Sequence, residues 1–128
     1  MSRFIKESFE LKETVLNEMA RIGKFDDLEV YVRTNDGGNI PHMHIWDSTT
    51  RGSRFHTCIR LDKAEYFHHT GKEDKLNSRQ RKDLVNLLQA PYRRFNITNW
   101  ERLLIEWNDN NSDIIIDENS PMPNYLEL

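Results

Sequence analysis

Three segments in the first half of the chain, residues 28–33, 40–46 and 54–61, alternate apolar with polar side chains. A period of two is typical of β-strands that bury one face, because successive side chains in a strand point to opposite sides. The first two segments are joined by Asn-Asp-Gly-Gly at 35–38, residues that favour the backbone of a tight turn. The pattern therefore predicts an antiparallel meander of these strands.

Apolar residues spaced three and four positions apart predict helices on either side of these strands. The first predicted helix covers residues 6–22 and ends at Gly23, since glycine is favoured just beyond a helix C-terminus. The second begins at Ser78, a favoured N-cap residue, and ends near residue 89, shortly before Pro91.

A third predicted helix opens at a capping box formed by Thr98 and Glu101 and ends near Asn108. Residues 62–77, which precede the second helix, fit either a fourth strand or a turn followed by a charged loop. Strands and helices in separate runs are typical of the α+β class. We therefore predict an α+β fold of two layers, an antiparallel sheet of three to five strands with helices packed on one face.

The chain of 128 residues has a length typical of one domain. We expect residues 1–109 to form a single α+β domain and residues 110–128 to form an acidic C-terminal tail. Residues 114–116 are three isoleucines, which fit a short strand within that tail. The tail either docks on the sheet, reaches a neighbouring subunit or stays disordered.

Cysteine content, hydropathy and charge indicate the cellular compartment and the kind of partner. Cys58 is the single cysteine, so no intrachain disulfide can form, which is typical of a cytoplasmic protein. No apolar run of 18 residues is present, and we expect no membrane association. Residues 51–102 carry 12 Lys or Arg and 6 Asp or Glu, whereas residues 103–128 carry 6 acidic residues and no basic one.

This uneven charge indicates either pairing within the molecule or a nucleic-acid partner. Candidate contacts to such a partner are the basic residues Arg79, Arg81, Lys82, Arg93 and Arg94.

The strand alternation also assigns side chains to the two faces of the sheet. The apolar set, which includes Val30, Ile45 and Ile59, is expected to face the helices. The opposite face then presents Tyr31, Arg33, His42, His44, Trp46, His56, Cys58 and Arg60.

Three histidines on one face form a candidate metal site. Same-face neighbours on a strand lie about 7 Å apart and cross-strand neighbours about 5 Å apart, so His42, His44 and His56 could converge on one ion. A divalent metal such as zinc suits imidazole ligands, and it could activate a water for hydrolysis of a phosphate-containing substrate. We consider Cys58 as a fourth ligand and Asp47 or Glu29 as a partner that orients an imidazole.

Two interpretations need no metal. His42 or His44 could act as base or nucleophile, with Arg33 or Arg60 binding an anionic oxygen of the substrate. Alternatively the histidines are ordinary sheet residues, or they line a dimer interface together with Trp46.

Two resemblances concern the segment from Ile40 to Trp46, whose sequence is Ile-Pro-His-Met-His-Ile-Trp. It resembles the start of the histidine-triad motif of nucleotide hydrolases, but Trp46 stands where that motif has its third histidine. Residues 28–108 are also similar to a family of small bacterial domains of unknown function whose strand reads Pro-Pro-His-Phe-His-Val. That similarity implies a small α+β fold, a role for His42 and His44, and for some members a place in toxin–antitoxin or mobile-element loci.

We therefore expect an interaction or regulatory module, of the toxin–antitoxin or mobile-element type, with a protein partner or a homodimer. Its contact surface is predicted to be the face that carries Trp46, Tyr31, Arg33 and Arg60. The alternative is a metal- or histidine-dependent hydrolase acting at His42, His44 and His56.

Overall fold

The computed structural model describes residues 19–34, 36, 39–68, 73–93 and 95–128, and in this part of the chain four strands form one antiparallel sheet. The strands lie in chain order and are β1 (Met19–Phe25), β2 (Leu28–Arg33), β3 (His42–Asp47) and β4 (His56–Arg60). Two α-helices and a short 3-10 helix follow, α1 (Ser78–Gln89), α2 (Asn99–Asn110) and Tyr125–Glu127. The predicted α+β fold is confirmed.

The predicted N-terminal helix is wrong over residues 19–22, which belong to β1, and its remainder lies outside the described residues. β1 pairs with β2 along its whole length, with a bulge between Arg21 and Gly23. Gly23 is therefore a strand residue and not a helix cap. A Cβ at this position would lie 2.8 Å from Leu87 Cδ1, so any larger residue would force the side chain of Leu87 in α1 to shift.

Both remaining helices are confirmed, and capping boxes define where they begin. α2 starts after Thr98, whose side chain accepts the Glu101 N–H, as predicted, and it ends at Asn110. α1 has Asn77 as its N-cap, one residue before the predicted Ser78, and Gln80 completes the box. In both boxes the N-cap oxygen and the third helical side chain satisfy backbone donors that the helix leaves unpaired.

The core lies between the helices and one face of the sheet. Val30, Met43, Ile45 and Ile59 have no solvent exposure, and they belong to the face that alternation assigned to the helices. The helical side of the core consists of Leu84, Leu88, Trp100, Leu103, Leu104 and Trp107. None of the helices in the described residues is both long and apolar enough to cross a membrane.

Within the described part of 62–77, the chain forms no strand, only an isolated bridge between Ile59 and Tyr66. The C-terminal segment also lacks the short strand expected at residues 114–116. It docks nonetheless, because Tyr125 is fully buried in the core and donates a 2.6 Å hydrogen bond to the carbonyl of Arg60. Trp100 also holds the C-terminal segment, because its Nε1 donates a hydrogen bond to the carbonyl of Ser120.

Candidate metal centre

The strand register places the predicted polar side chains on the sheet face opposite the helices. The direct cross-strand pairs on this face are Tyr31 with His44, His44 with Cys58, Trp46 with His56, and His42 with Arg60. The shared face predicted from alternation is therefore confirmed.

This face is buried at its centre, although two layers alone would leave it open to solvent. His42 and His44 have no solvent exposure, and Tyr31 is 1% exposed. The other predicted site residues lie nearer the surface, with Trp46, His56 and Arg60 half-buried and Arg33 exposed. Buried imidazoles need hydrogen-bond partners, since an unpaired buried polar group is costly.

The partner of both buried imidazoles is Asp36, which sequence analysis assigned only to the turn before β3. Its Oδ2 atom lies 2.8 Å from Nε2 of His42 and 2.5 Å from Nε2 of His44. One carboxylate oxygen thus faces two imidazole nitrogens. The sequence feature that could have indicated this role is the position of an acidic residue a few residues before a His-x-His strand.

The second nitrogen of each imidazole also has a defined partner. His42 donates from Nδ1 to the carbonyl of Ile40 at 2.8 Å. Nδ1 of His44 lies 2.9 Å from Nε2 of His56, and Cys58 Sγ lies 3.4 Å from the same Nδ1 atom. The hydrogen bond between His44 and His56 can run in either direction, depending on which ring carries the proton.

Burial changes the protonation of His44. Loss of solvent lowers the pKa of His44 to about 4, although the hydrogen bond that it donates to Asp36 acts in the opposite direction. His44 is therefore neutral at pH 7, the form in which imidazole can ligate a metal.

Aromatic rings enclose the two imidazoles. Tyr31 stacks on His44 with ring centroids 4.9 Å apart and an interplanar angle of 19°. The ring of His42 lies 4.7 Å from that of Phe67 and 5.2 Å from that of Trp107 near the end of α2. These apolar walls lower the local dielectric and strengthen interactions among the charged and polar groups inside.

Two groups of side chains in this cluster carry donor atoms that suit a metal ion. His42, His44 and Cys58 each offer a ligand atom within 4.8 Å of the other two. Asp36 with the Nε2 atoms of His42 and His44 forms the second set. His56 lies on the Nδ1 side of His44, where it can orient that ring.

Several predicted site residues are engaged elsewhere. Trp46 donates from Nε1 to Glu29, whose carboxylate also pairs with Arg21 at 2.9 Å. Arg60 makes two hydrogen bonds to Asp62, at 2.8 and 2.7 Å.

Asp47, proposed as an orienting partner for an imidazole, points to the face opposite the histidines. Its carboxylate binds the backbone of the loop that follows β3. The orienting role considered for Asp47 is therefore wrong.

The predicted basic residues differ in how far the domain engages them. Arg81 donates to the carbonyls of Leu76 and Leu126, so it holds the C-terminal segment against α1. Arg79 lies 3.8 Å from Asp83 of the same helix. Lys82 and Arg93 are exposed, and Arg94 lies outside the described residues.

Comparison of this chain with protein-family models, curated proteins and solved structures yields no match. The two resemblances noted for residues 28–108 therefore stay predictions, and the site has to be interpreted from its own chemistry.

Proposed function

We propose that this protein is a small regulatory module that binds one divalent transition-metal ion of the zinc type. The ligands are Oδ2 of Asp36 and the Nε2 atoms of His42 and His44. The observation that carries the proposal is the convergence of both Nε2 atoms on a single carboxylate oxygen, at 2.8 and 2.5 Å, inside the protein.

The chemistry of the donor set supports this choice. Imidazole nitrogen and carboxylate oxygen both bind Zn²⁺ at about 2.0 to 2.2 Å, and two histidines with one carboxylate recur in metal sites. The present distances from Asp36 to the imidazoles are those of hydrogen bonds. An ion bound between these atoms would replace their direct contacts, with a small outward movement of the carboxylate.

The outer contacts of the two imidazoles support ligation through Nε2. A metal-binding histidine usually donates its other ring N–H to a carbonyl, carboxylate or similar acceptor, which fixes the ring. His42 has the carbonyl of Ile40 for this purpose, and His44 has Nε2 of His56. Contacts at Nδ1 thus hold both rings in an orientation in which Nε2 can bind the ion.

Burial favours a structural or regulatory ion over a hydrolytic one. A catalytic metal keeps one position open to water or substrate, whereas a structural site is closed. The absence of solvent exposure at His42 and His44 weighs against the hydrolase alternative. Ion binding at such a site contributes to folding free energy, and this gives the ion control over the amount of folded protein.

The regulatory proposal includes a protein partner or a second copy of this chain, in the cytoplasm. Half-buried Trp46 lies at the margin of the histidine cluster, with its ring 4.6 Å from Tyr31, and is the contact residue that we assign to this partner. A protein partner is favoured over nucleic acid because Arg81, one of the predicted phosphate contacts, is engaged by the carbonyls of Leu76 and Leu126.

Titration with Co²⁺, followed by absorbance, tests the ligand set. We expect visible d–d bands and no thiolate charge-transfer band. Cys58→Ser should give the same spectrum as the wild type. A thiolate band that Cys58→Ser removes would assign the ion to His42, His44 and Cys58, and the absence of any d–d band would overturn the proposal.

A further inference from the structure

The end of α2 lies against the proposed ligands through two different side chains. The indole of Trp107 packs 5.2 Å from the ring of His42, as measured between ring centroids. One turn later, Asn111 reaches the backbone of the segment that carries Asp36. The helix end is therefore in contact with the surroundings of two ligands.

The side chain of Asn111 makes three hydrogen bonds, and two of them join it to Arg33 and Asp36, between β2 and β3. Its Nδ2 donates to the carbonyl of Arg33 at 2.9 Å, and its Oδ1 accepts the backbone N–H of Asp36 at 2.8 Å. Nδ2 also donates to the carbonyl of Trp107 at 3.2 Å, which anchors the amide to α2. The side chain is buried, with 6% exposure, so these bonds have little competition from water.

An amide is required by this arrangement. The side chain must donate to the carbonyl at the end of β2 and accept from the N–H of Asp36 three residues later. A carboxylate lacks the donors, and alanine lacks both groups. Among the side chains of similar size, asparagine alone supplies both kinds of group from one planar unit.

We infer that Asn111 is the positioning residue that holds Asp36 in place to share a metal ion with His42 and His44. The inference rests on the proposed function for the ion, but the placement of Asp36 against the imidazoles can be tested without metal. By fixing the backbone N–H of Asp36, Asn111 limits how far the carboxylate can move. It also links the occupancy of the metal site to the C-terminal end of α2.

Asn99 provides a matched control. It is a buried asparagine on the same helix, 8% exposed, and its Nδ2 donates to the carbonyl of Leu87 at 2.8 Å. Asn99 lies at the opposite end of α2 from Asn111. Asn99→Ala should lower stability by loss of a buried hydrogen bond without moving Asp36.

The experiment compares the full-length wild type with Asn111→Ala, Asn111→Asp and Asn99→Ala. Zn²⁺ affinity is measured by competition with a chelator on protein that is shown to be folded. We expect Asn111→Ala to weaken binding by about 10- to 100-fold, the range found for residues that orient metal ligands. Asn111→Asp, which keeps the acceptor for the Asp36 N–H, should show a smaller loss and serves if Asn111→Ala does not fold. Asn99→Ala should bind like the wild type.

A second readout uses the metal-free proteins. The ¹⁵N and ¹H resonances of the His42 and His44 rings report their contacts with Asp36, and amide exchange reports the protection of the Asp36 N–H. We expect both to change in Asn111→Ala and to stay at wild-type values in Asn99→Ala.

Unchanged ring resonances together with unchanged Zn²⁺ affinity in both Asn111 variants would overturn the inference and leave Asn111 with a structural role only. If the wild type binds no metal, the proposed function fails, and the metal-free resonances still decide whether Asn111 positions Asp36.

Discussion

His44 and Asp36 are eight positions apart in the sequence, and Nε2 of His44 lies 2.5 Å from Oδ2 of Asp36 in the buried centre of the sheet face. The side chain that contacts both histidines of β3 is therefore a carboxylate and not a third histidine. Because His42 reaches the same oxygen at 2.8 Å, the turn before β3 and the strand itself form one polar cluster.

Asp36→Asn should remove the negative charge of the shared ligand while it keeps the size and shape of the side chain. We expect Zn²⁺ affinity to fall by more than about 100-fold, beyond the range for residues that only orient ligands. The metal-free variant should also lose about 1 to 3 kcal/mol of unfolding free energy, because the neutral amide is a weaker partner for the buried imidazoles than the carboxylate. Chelator competition and urea unfolding measure the two effects. Wild-type affinity in Asp36→Asn would remove Asp36 from the ligand set.

The lowered pKa of His44 predicts how the stability of the metal-free protein depends on pH. His44 titrates near pH 4 when folded and near its ordinary value of 6.5 when unfolded. Between these values the unfolded state binds more protons, so stability is complete above about pH 6.5 and falls as the pH drops towards 4. At about 1.4 kcal/mol per pKa unit, the loss approaches about 3 kcal/mol.

Urea unfolding in the presence of a chelator measures this dependence for the wild type and His44→Gln. The variant is expected to have a lower stability at pH 7 and a shallower decline between pH 6.5 and 4. An identical decline in both proteins would show that other groups cause the acid destabilisation.

Asp47 should stabilise the loop between β3 and β4 through its ionised form. Its carboxylate accepts four backbone N–H groups of that loop, those of Thr50, Gly52, Arg54 and Phe55. A hydrogen bond from the Thr50 hydroxyl, followed by these backbone bonds, lowers the pKa of Asp47 well below its ordinary value. This contribution is present above about pH 4 and is lost as the pH falls below it.

Asp47→Asn is therefore expected to lower the Tm at pH 7 by several degrees and to flatten the acid side of the Tm profile. Asp62→Asn is the control, because the pKa of Asp62 is also lowered, by Arg60, but Asp62 is solvent-exposed and its ion pair contributes little. Equal effects of the two substitutions would contradict the role of Asp47 in the loop.

Tyr125 should contribute to global stability although it lies near the C-terminal end of the printed sequence. It is fully buried, and its hydroxyl donates to the carbonyl of Arg60. We expect Tyr125→Phe to cost about 1 to 3 kcal/mol for the lost hydrogen bond and Tyr125→Ala about 3 to 5 kcal/mol for the cavity. Leu126→Ala, at an exposed neighbour in the same 3-10 helix, should change unfolding by less than about 0.5 kcal/mol.

The sheet and its faces could be predicted because alternation is a local signal that the strands keep when they pair. β1 was missed because Met19 and Ile22 also fit a helical stripe, and pairing with β2 overrides that local preference. Gly23 fits a helix cap equally well from sequence alone. Its role becomes clear only from the position of Leu87, which is distant in the chain.

The histidines of the site could be found from sequence, whereas their carboxylate partner could not. Asp36 sits between residues that favour a turn, and nothing in that pattern tells where its side chain points. Its placement depends on Asn111, 75 positions later, which binds its backbone N–H. Burial of His42 likewise depends on Phe67 and Trp107, which approach from other parts of the chain.

Calorimetric titration of Zn²⁺ into the metal-free protein tests the central claim most directly. It compares the wild type, a variant carrying both His42→Ala and His44→Ala, and His68→Ala as a control at an exposed histidine. We predict one ion per chain for the wild type and for His68→Ala, and none for the double variant when it is folded. No binding by the folded wild type, or undiminished binding by the double variant, would contradict the claim.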